Sequence, residues 1–147
     1  MKIVIGLVGC MLALFCYSQS TSAEQWEELG ENAVGMHYYD KSSIKTVRPG
    51  VMTVRAKIIY SQRVAKDIAT ALPKATGLYL SINLDVIDCK NGQYFVSRVI
   101  HYDKHGKVLH DTGEDKKVYT PIGYRHIPEG TVIERLSEAV CKAGKGR

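Results

Sequence analysis

The sequence predicts an α+β fold: an antiparallel β-sheet meander of about five to six strands, with a C-terminal helix packed on it and one disulfide. Three observations point there. Runs in which every second residue is apolar are separated by turn dipeptides such as Pro49-Gly50 and Asn91-Gly92. A capping box, Thr131-Val132-Ile133-Glu134, opens an amphipathic stretch near the C-terminus. Two cysteines fall at strategic places, Cys89 beside the central hairpin and Cys141 in that last stretch.

The 147 residues are within the usual span of one domain, so a single hydrophobic core is expected. Charged residues at 24% and hydrophobic residues at 45% exclude wholesale disorder. A net charge of +5 favours association with acidic surfaces, including anionic lipid and acidic glycans. Lys and Arg are scattered among Asp and Glu, with no basic stripe and no base-stacking module, so no nucleic-acid partner is indicated.

The first segment reads as an export address. Met1 and Lys2 are followed by an apolar run over residues 3–15 and a polar stretch ending at Ala23, the pattern of a secretory signal peptide. The run is about 13 residues, short of the roughly 20 that span a bilayer. It also lacks the polar face of a core helix. Thr21 and Ala23 satisfy the small-residue rule for a cut after Ala23, and a cut after Ser20 fits nearly as well. The first cut divides the chain into a leader, 1–23, and a mature domain, 24–147. Leu7-Val8-Gly9-Cys10 matches a bacterial lipoprotein box. The apolar stretch before Cys10 is very short, however, and apolar residues continue past it, which argues against a lipid tether. Cys10 and Cys16 leave with the leader. Cys89 and Cys141 remain as an even pair in an oxidising compartment, most simply a disulfide, the alternative being two buried thiols. Closing that loop of some fifty residues is worth roughly 3–4 kcal/mol.

Along the mature domain, residues 24–29 read as a short strand or lead-in that packs the single tryptophan, Trp26, on the core. Residues 34–40 are aromatic and branched, hence β-prone. Asp40-Lys41-Ser42-Ser43 offers turn chemistry, because Asp and Ser side chains bond nearby backbone N–H groups. After Pro49-Gly50, residues 51–60 place Met52, Val54, Ala56, Ile58 and Tyr60 on one face and Thr53, Arg55 and Lys57 on the other. Residues 62–72 change to a helical period, with Val64, Ile68, Ala69 and Leu72 on one stripe, and Pro73 ends it. Residues 78–89 form the clearest strand: Leu78, Leu80, Ile82, Leu84 and Val86 alternate with Tyr79, Ser81, Asn83 and Asp85. Asn91-Gly92 makes the hairpin turn, residues 94–102 return, and Asp103-Lys104-His105-Gly106 leads into a short run over 107–110. Last comes the capped helix, whose stripe is Val132, Ile133, Leu136, Ala139 and Val140, with Cys141 at its end ready to be stapled to Cys89.

No chemistry emerges from this scaffold. His101, His105 and His110 are near neighbours, yet the Gly106 turn breaks a shared ligand face and tight Cys/His pairings are missing, so neither metal nor other cofactor is expected. Asp85, Asp88, Asp103, Asp111, Glu114 and Asp115 gather around the hairpins, but nothing sets two of them about a cleft. With both mature cysteines assigned to the disulfide, the chain reads as non-enzymatic. Eight tyrosines (Tyr38, Tyr39, Tyr60, Tyr79, Tyr94, Tyr102, Tyr119 and Tyr124) read mostly as lining for the sheet core and its rim, the rest as contact surface.

Several pieces resemble the surface-adhesin protein E family of Gram-negative bacteria. They are Trp26, the run Tyr38-Tyr39-Asp40-Lys41-Ser42-Ser43-Ile44, the strand over 51–60, and Asp88-Cys89-Lys90-Asn91-Gly92-Gln93-Tyr94. Tyr102, the Gly106 turn, Ile127-Pro128-Glu129-Gly130-Thr131 and Val140-Cys141 complete the ordered set, which covers nearly the whole mature chain. Tyr124 departs from the pattern, standing about where a second tryptophan is expected, and residues 62–72 look like extra material. The resemblance implies a PAS-like antiparallel sheet with a flanking helix, dimerisation, display at the bacterial surface, and binding of matrix proteins such as vitronectin and laminin. It carries over no binding residues. Two functional expectations follow: a surface-displayed domain that holds an extracellular protein partner, or a periplasmic small-ligand binding or sensing domain whose sheet and helix enclose a pocket.

Overall fold

A computed structural model of the chain describes residues 23–113 and 123–145. Residues 1–22, which hold nearly all of the expected leader together with Cys10 and Cys16, lie outside the described residues, as do Glu114, Asp115 and Tyr119. The elements are β1 (Trp26–Glu31), β2 (Gly35–Arg48), β3 (Val51–Tyr60), α1 (Gln62–Ala71), a 3-10 turn (Pro73–Ala75), β4 (Leu78–Asp88), β5 (Gln93–Asp103), β6 (Val108–Asp111), β7 (Arg125–His126) and α2 (Val132–Lys145). The first six strands lie side by side in chain order, each antiparallel to the next. The two-residue β7 adds to β5 at Gln93 and Tyr94, away from the stretch of β5 that pairs with β6.

Local chemistry explains the joints. Gly50 turns β2 into β3 with φ +78°, a conformation that side chains resist. Gly35 opens β2 where the backbones crowd: a Cβ there would sit 2.0 Å from the Ile59 carbonyl oxygen. The Ser61 hydroxyl caps α1 by accepting from the Val64 N–H at 3.4 Å. The Asp88 carboxylate accepts from the N–H groups of Lys90 and Asn91 and so closes the β4–β5 hairpin. Asp103 does the same for the next turn through the N–H groups of His105 and Lys107. At α2, Thr131 Oγ1 accepts from the Glu134 N–H, and the Glu134 carboxylate takes the N–H of Gly130, one residue earlier than a standard capping box.

The expected turn at residues 40–43 is instead a bulge inside β2, where the register against β3 slips between Asp40 and Lys45. The Asx chemistry is present, since Asp40 Oδ1 accepts from the Ser42 N–H and hydroxyl and from the Gln25 N–H. Both sides of β2 are paired, with β1 and with β3, so the local bonds kink the strand rather than reverse it. Trp26 likewise departs from expectation. It pairs in register with Asp40, which pairs with Arg55, and it lies half-buried on that face instead of in the core.

The core lies on the other face. Leu136 and Val140 of α2 pack with Tyr39, Ile44, Met52, Val54, Ala56 and Ile87. Burying a side chain of this kind contributes about 1.5–3 kcal/mol. Cys89 and Cys141 are joined across 52 residues, which ties α2 to the end of β4, and the helix continues past Cys141 to Lys145. A smaller cluster of Val51 and Val86, with Val47, Phe95 and Tyr124, occupies the opposite face.

Two outcomes test this account. Cys89→Ser or Cys141→Ser lowers the thermal midpoint under oxidising conditions by roughly 10 °C, and an unchanged midpoint shows that the bond contributes nothing. Burial alone would raise the Asp40 carboxyl, but bonds from Ser42, Arg55 and Gln25 outweigh it and hold it at about 2. A carboxylate depressed in the fold stabilises above its ordinary pKa and loses that contribution as pH falls towards 2. Asp40→Asn therefore lowers stability at pH 7, by on the order of 2 kcal/mol, with the gap to wild type closing below pH 4. Parallel acid limbs in urea titrations of the two proteins would refute it.

Candidate functional site

The two faces of β4 carry the features of interest, and they are inverted relative to simple amphipathicity. Residues opposite one another in an antiparallel pair share a face. Asp85 pairs with Val54 and Asn83 with Ala56, so the polar row of β4 faces the side that α2 covers. Leu84 pairs with Arg55, Ile82 with Lys57 and Leu80 with Ile59, so the apolar row faces away from the helix.

On that outer face Leu80, Ile82, Leu84, Ile100 and Tyr102 stay half-buried. One edge is aromatic and cationic. Lys57 Nζ stands 4.3 Å from the Trp26 ring centre and 4.9 Å from that of Tyr38, and the Arg55 guanidinium lies 5.7 Å from Trp26. Arg55 also pairs with Asp40 and with Glu24, while the Trp26 indole N–H donates to Glu24. At the far side Arg98 grips Asp111 with two parallel bonds, which together with the Gly113 N–H hold that carboxyl at about 2. Tyr79, Leu80, Ile82 and Tyr102 border a shallow groove of about 370 Å³ at one end of this face.

On the helix side a cleft of about 230 Å³ opens between the first turn of α2 and the sheet. Leu29, Ala56, Ile58, Tyr94, Val96, Val132 and Leu136 give it apolar walls. Asp85 is 4% exposed, and its Oδ1 has no hydrogen-bond partner among the described residues. Asn83 Oδ1 beside it is equally unpartnered. An unmet buried acceptor costs about 1–3 kcal/mol. Burial pushes the Asp85 carboxyl up to about 7, and no neighbouring cation pulls it back. His37, at the same cleft, bonds through Nε2 to Asn32 Oδ1 at 3.0 Å. That oxygen also accepts from the N–H groups of Val34 and Gly35, so Nε2 carries the proton and Nδ1 is left as an acceptor. Burial and the charge of Arg135 lower the pKa of His37 and keep the ring neutral. The buried atoms of the cleft left without a partner among the described residues are thus two side-chain oxygens, Asn83 Oδ1 and Asp85 Oδ1.

Three of the four described carboxylates named from the sequence serve turns and ion pairs: Asp88 and Asp103 close hairpins, and Asp111 is paired with Arg98. Among the described ones, Asp85 enters the cleft under α2, and Asn83 and His37 beside it were not singled out by sequence reasoning. The available signal was a strand whose polar row was as regular as its apolar one. His101 and His110 stack at 6.1 Å, and a wholly buried Ser81 meets His101 Nδ1 at 2.5 Å. Ser81 is wholly buried and His101 is 8% exposed, so little of that Ser–His contact reaches the surface. No group of three His, Cys, Asp or Glu side chains suited to a cation occurs among the described residues.

Comparison with curated proteins found no significant match. The family model described as surface-adhesin protein E matches residues 26–142, from the first residue of β1 to within three residues of the end of α2. The match spans well over half of the chain, including both cysteines and both faces of the sheet. This chain therefore belongs to the surface-adhesin protein E family.

Proposed function

We propose that this is an exported, non-enzymatic adhesin-like domain that binds a protein partner, of the extracellular matrix class, through the uncovered face of its sheet. In this reading residues 1–23 are a removable leader, and residues 24–147 act at the outer-membrane surface of a Gram-negative bacterium. The carrying observation is the row Leu80, Ile82 and Leu84, which is half-exposed on the outer face while the polar row of the same strand faces the helix. An apolar band of this kind, rimmed by charge, is the anatomy of a contact surface. Tyr38 and Trp26 add amphipathic area at its edge, and Lys57, which has no carboxylate partner among the described residues, suits an acidic rim on the partner. Family membership supports a role in adhesion and, with it, a non-enzymatic reading. The periplasmic small-ligand reading has one observation in its favour, the cleft beneath α2.

Binding of the purified protein to immobilised matrix proteins is saturable, and Ile82→Ser and Lys57→Glu each weaken it at least tenfold while leaving the thermal midpoint near wild type. Protease shaving of intact cells releases fragments of the domain while a periplasmic control protein stays whole. Absence of saturable binding, or variants that bind like wild type, would remove the outer face from the function. Protection until the outer membrane is opened would remove surface display. Concentration-dependent dimerisation abolished by Ile82→Ser would assign the face to a second copy of the chain instead.

A further inference from the structure

We propose that the cleft between the first turn of α2 and β4 binds a small primary amine on a short apolar body, with its ammonium held by Asp85 and Asn83. The sheet itself creates the vacancy in hydrogen bonding. Asp85 lies between Val54 on β3 and Val96 on β5, and Asn83 lies between Ala56 and Val99, so the cross-strand neighbours of both are aliphatic and offer no side-chain donor. Two adjacent acceptors, one of them a carboxyl that is 4% exposed, therefore point to a missing donor. A ligand that brings several N–H groups and a positive charge meets both needs at once.

The surroundings select the rest of the molecule. Ala56, Ile58, Val132 and Leu136 are apolar and take an aliphatic body, and the Tyr94 ring adds an aromatic wall of the sort that attracts ammonium groups. At about 230 Å³ the space is smaller than the roughly 300–1,000 Å³ of drug-sized sites, which suits a head with a short chain. The positive end of α2 would oppose a cation, but the Glu134 carboxylate sits in its first turn and offsets it. Arg135, whose charge acts on His37, is engaged by the Leu29 carbonyl through its Nε. Asp85 and Asn83 lie on the opposite face of the sheet from Ile82 and Lys57, so the amine site and the protein contact stand or fall separately.

The test titrates the full chain, as the cell produces it, with butylammonium chloride, using butanol and sodium butyrate as neutral and anionic counterparts. NMR signals of the Asn83 side-chain amide, the Asp85 carboxyl and the Val54 methyl groups report occupancy. Butylammonium gives saturable shifts, butanol binds at least tenfold more weakly, and butyrate gives none. Asp85→Asn keeps the size and an acceptor oxygen but removes the charge, so it folds and loses at least tenfold in amine affinity. Ile82→Ser, on the outer face, leaves amine binding unchanged. No saturable shift with butylammonium, equal affinity in Asp85→Asn, or butyrate binding as tightly as the amine would each overturn the proposal.

Discussion

Of the two helices, α2 is the one that packs on the main core, and it reaches only part of one face of the seven-stranded sheet. At 14 residues α2 is about 21 Å long, and its stripe of Leu136 and Val140 meets the centre of β2, β3 and β4. The disulfide from Cys141 to Cys89 fixes where the helix lies along β4. Much else follows from this limited cover. The face away from α2 keeps the half-buried row Leu80, Ile82 and Leu84, and the helix-side face opens into a cleft where the first turn of α2 meets the polar row of β4.

The polar cluster at the β1–β2 edge does for the outer face what the helix does for the inner one. Asp40 is 1% exposed and collects bonds from Gln25, Ser42 and Arg55, so it joins the start of the domain, the bulge of β2 and the middle of β3. A carboxylate with that many donors is stabilised in its charged form even though it is buried. Asp85 shows the converse. Without a donor, burial works unopposed and raises its pKa. Two aspartates of the same sheet thus sit at opposite ends of the carboxylate range because one has partners and the other does not.

Much of the architecture was legible because it is encoded locally. The strand over residues 51–60, the turns at Gly50, Gly92 and Gly106, the end of α1 before Pro73 and the Thr131 start of α2 each depend on neighbours within a few positions. The bulge at Asp40 was misread as a turn because Asx chemistry is common to both, and only pairing on both sides of β2 decides between them. Trp26 was misplaced for a related reason. Hydrophobicity suggested burial, whereas the register of β1 against β2 assigned it to the face of Arg55 and Lys57. The two residues of β7 carry no pattern of their own and pair with β5 only in the assembled fold.

By itself the sequence determined most of the strands, the reversals at Gly50, Gly92 and Gly106, where the last helix begins and which cysteines were available to join. These are matters of period, of φ preference and of side-chain reach over short distances. Only the tertiary structure decided which row of β4 met the helix. Alternation states that Leu80, Ile82 and Leu84 share one face and Ser81, Asn83 and Asp85 the other, but it is symmetric between them. The choice came from pairing Val54 opposite Asp85 and Met52 opposite Ile87, and from the helix that packs on Val54, Met52 and Ile87. That choice left an aliphatic band facing outward and a carboxyl without a donor facing in.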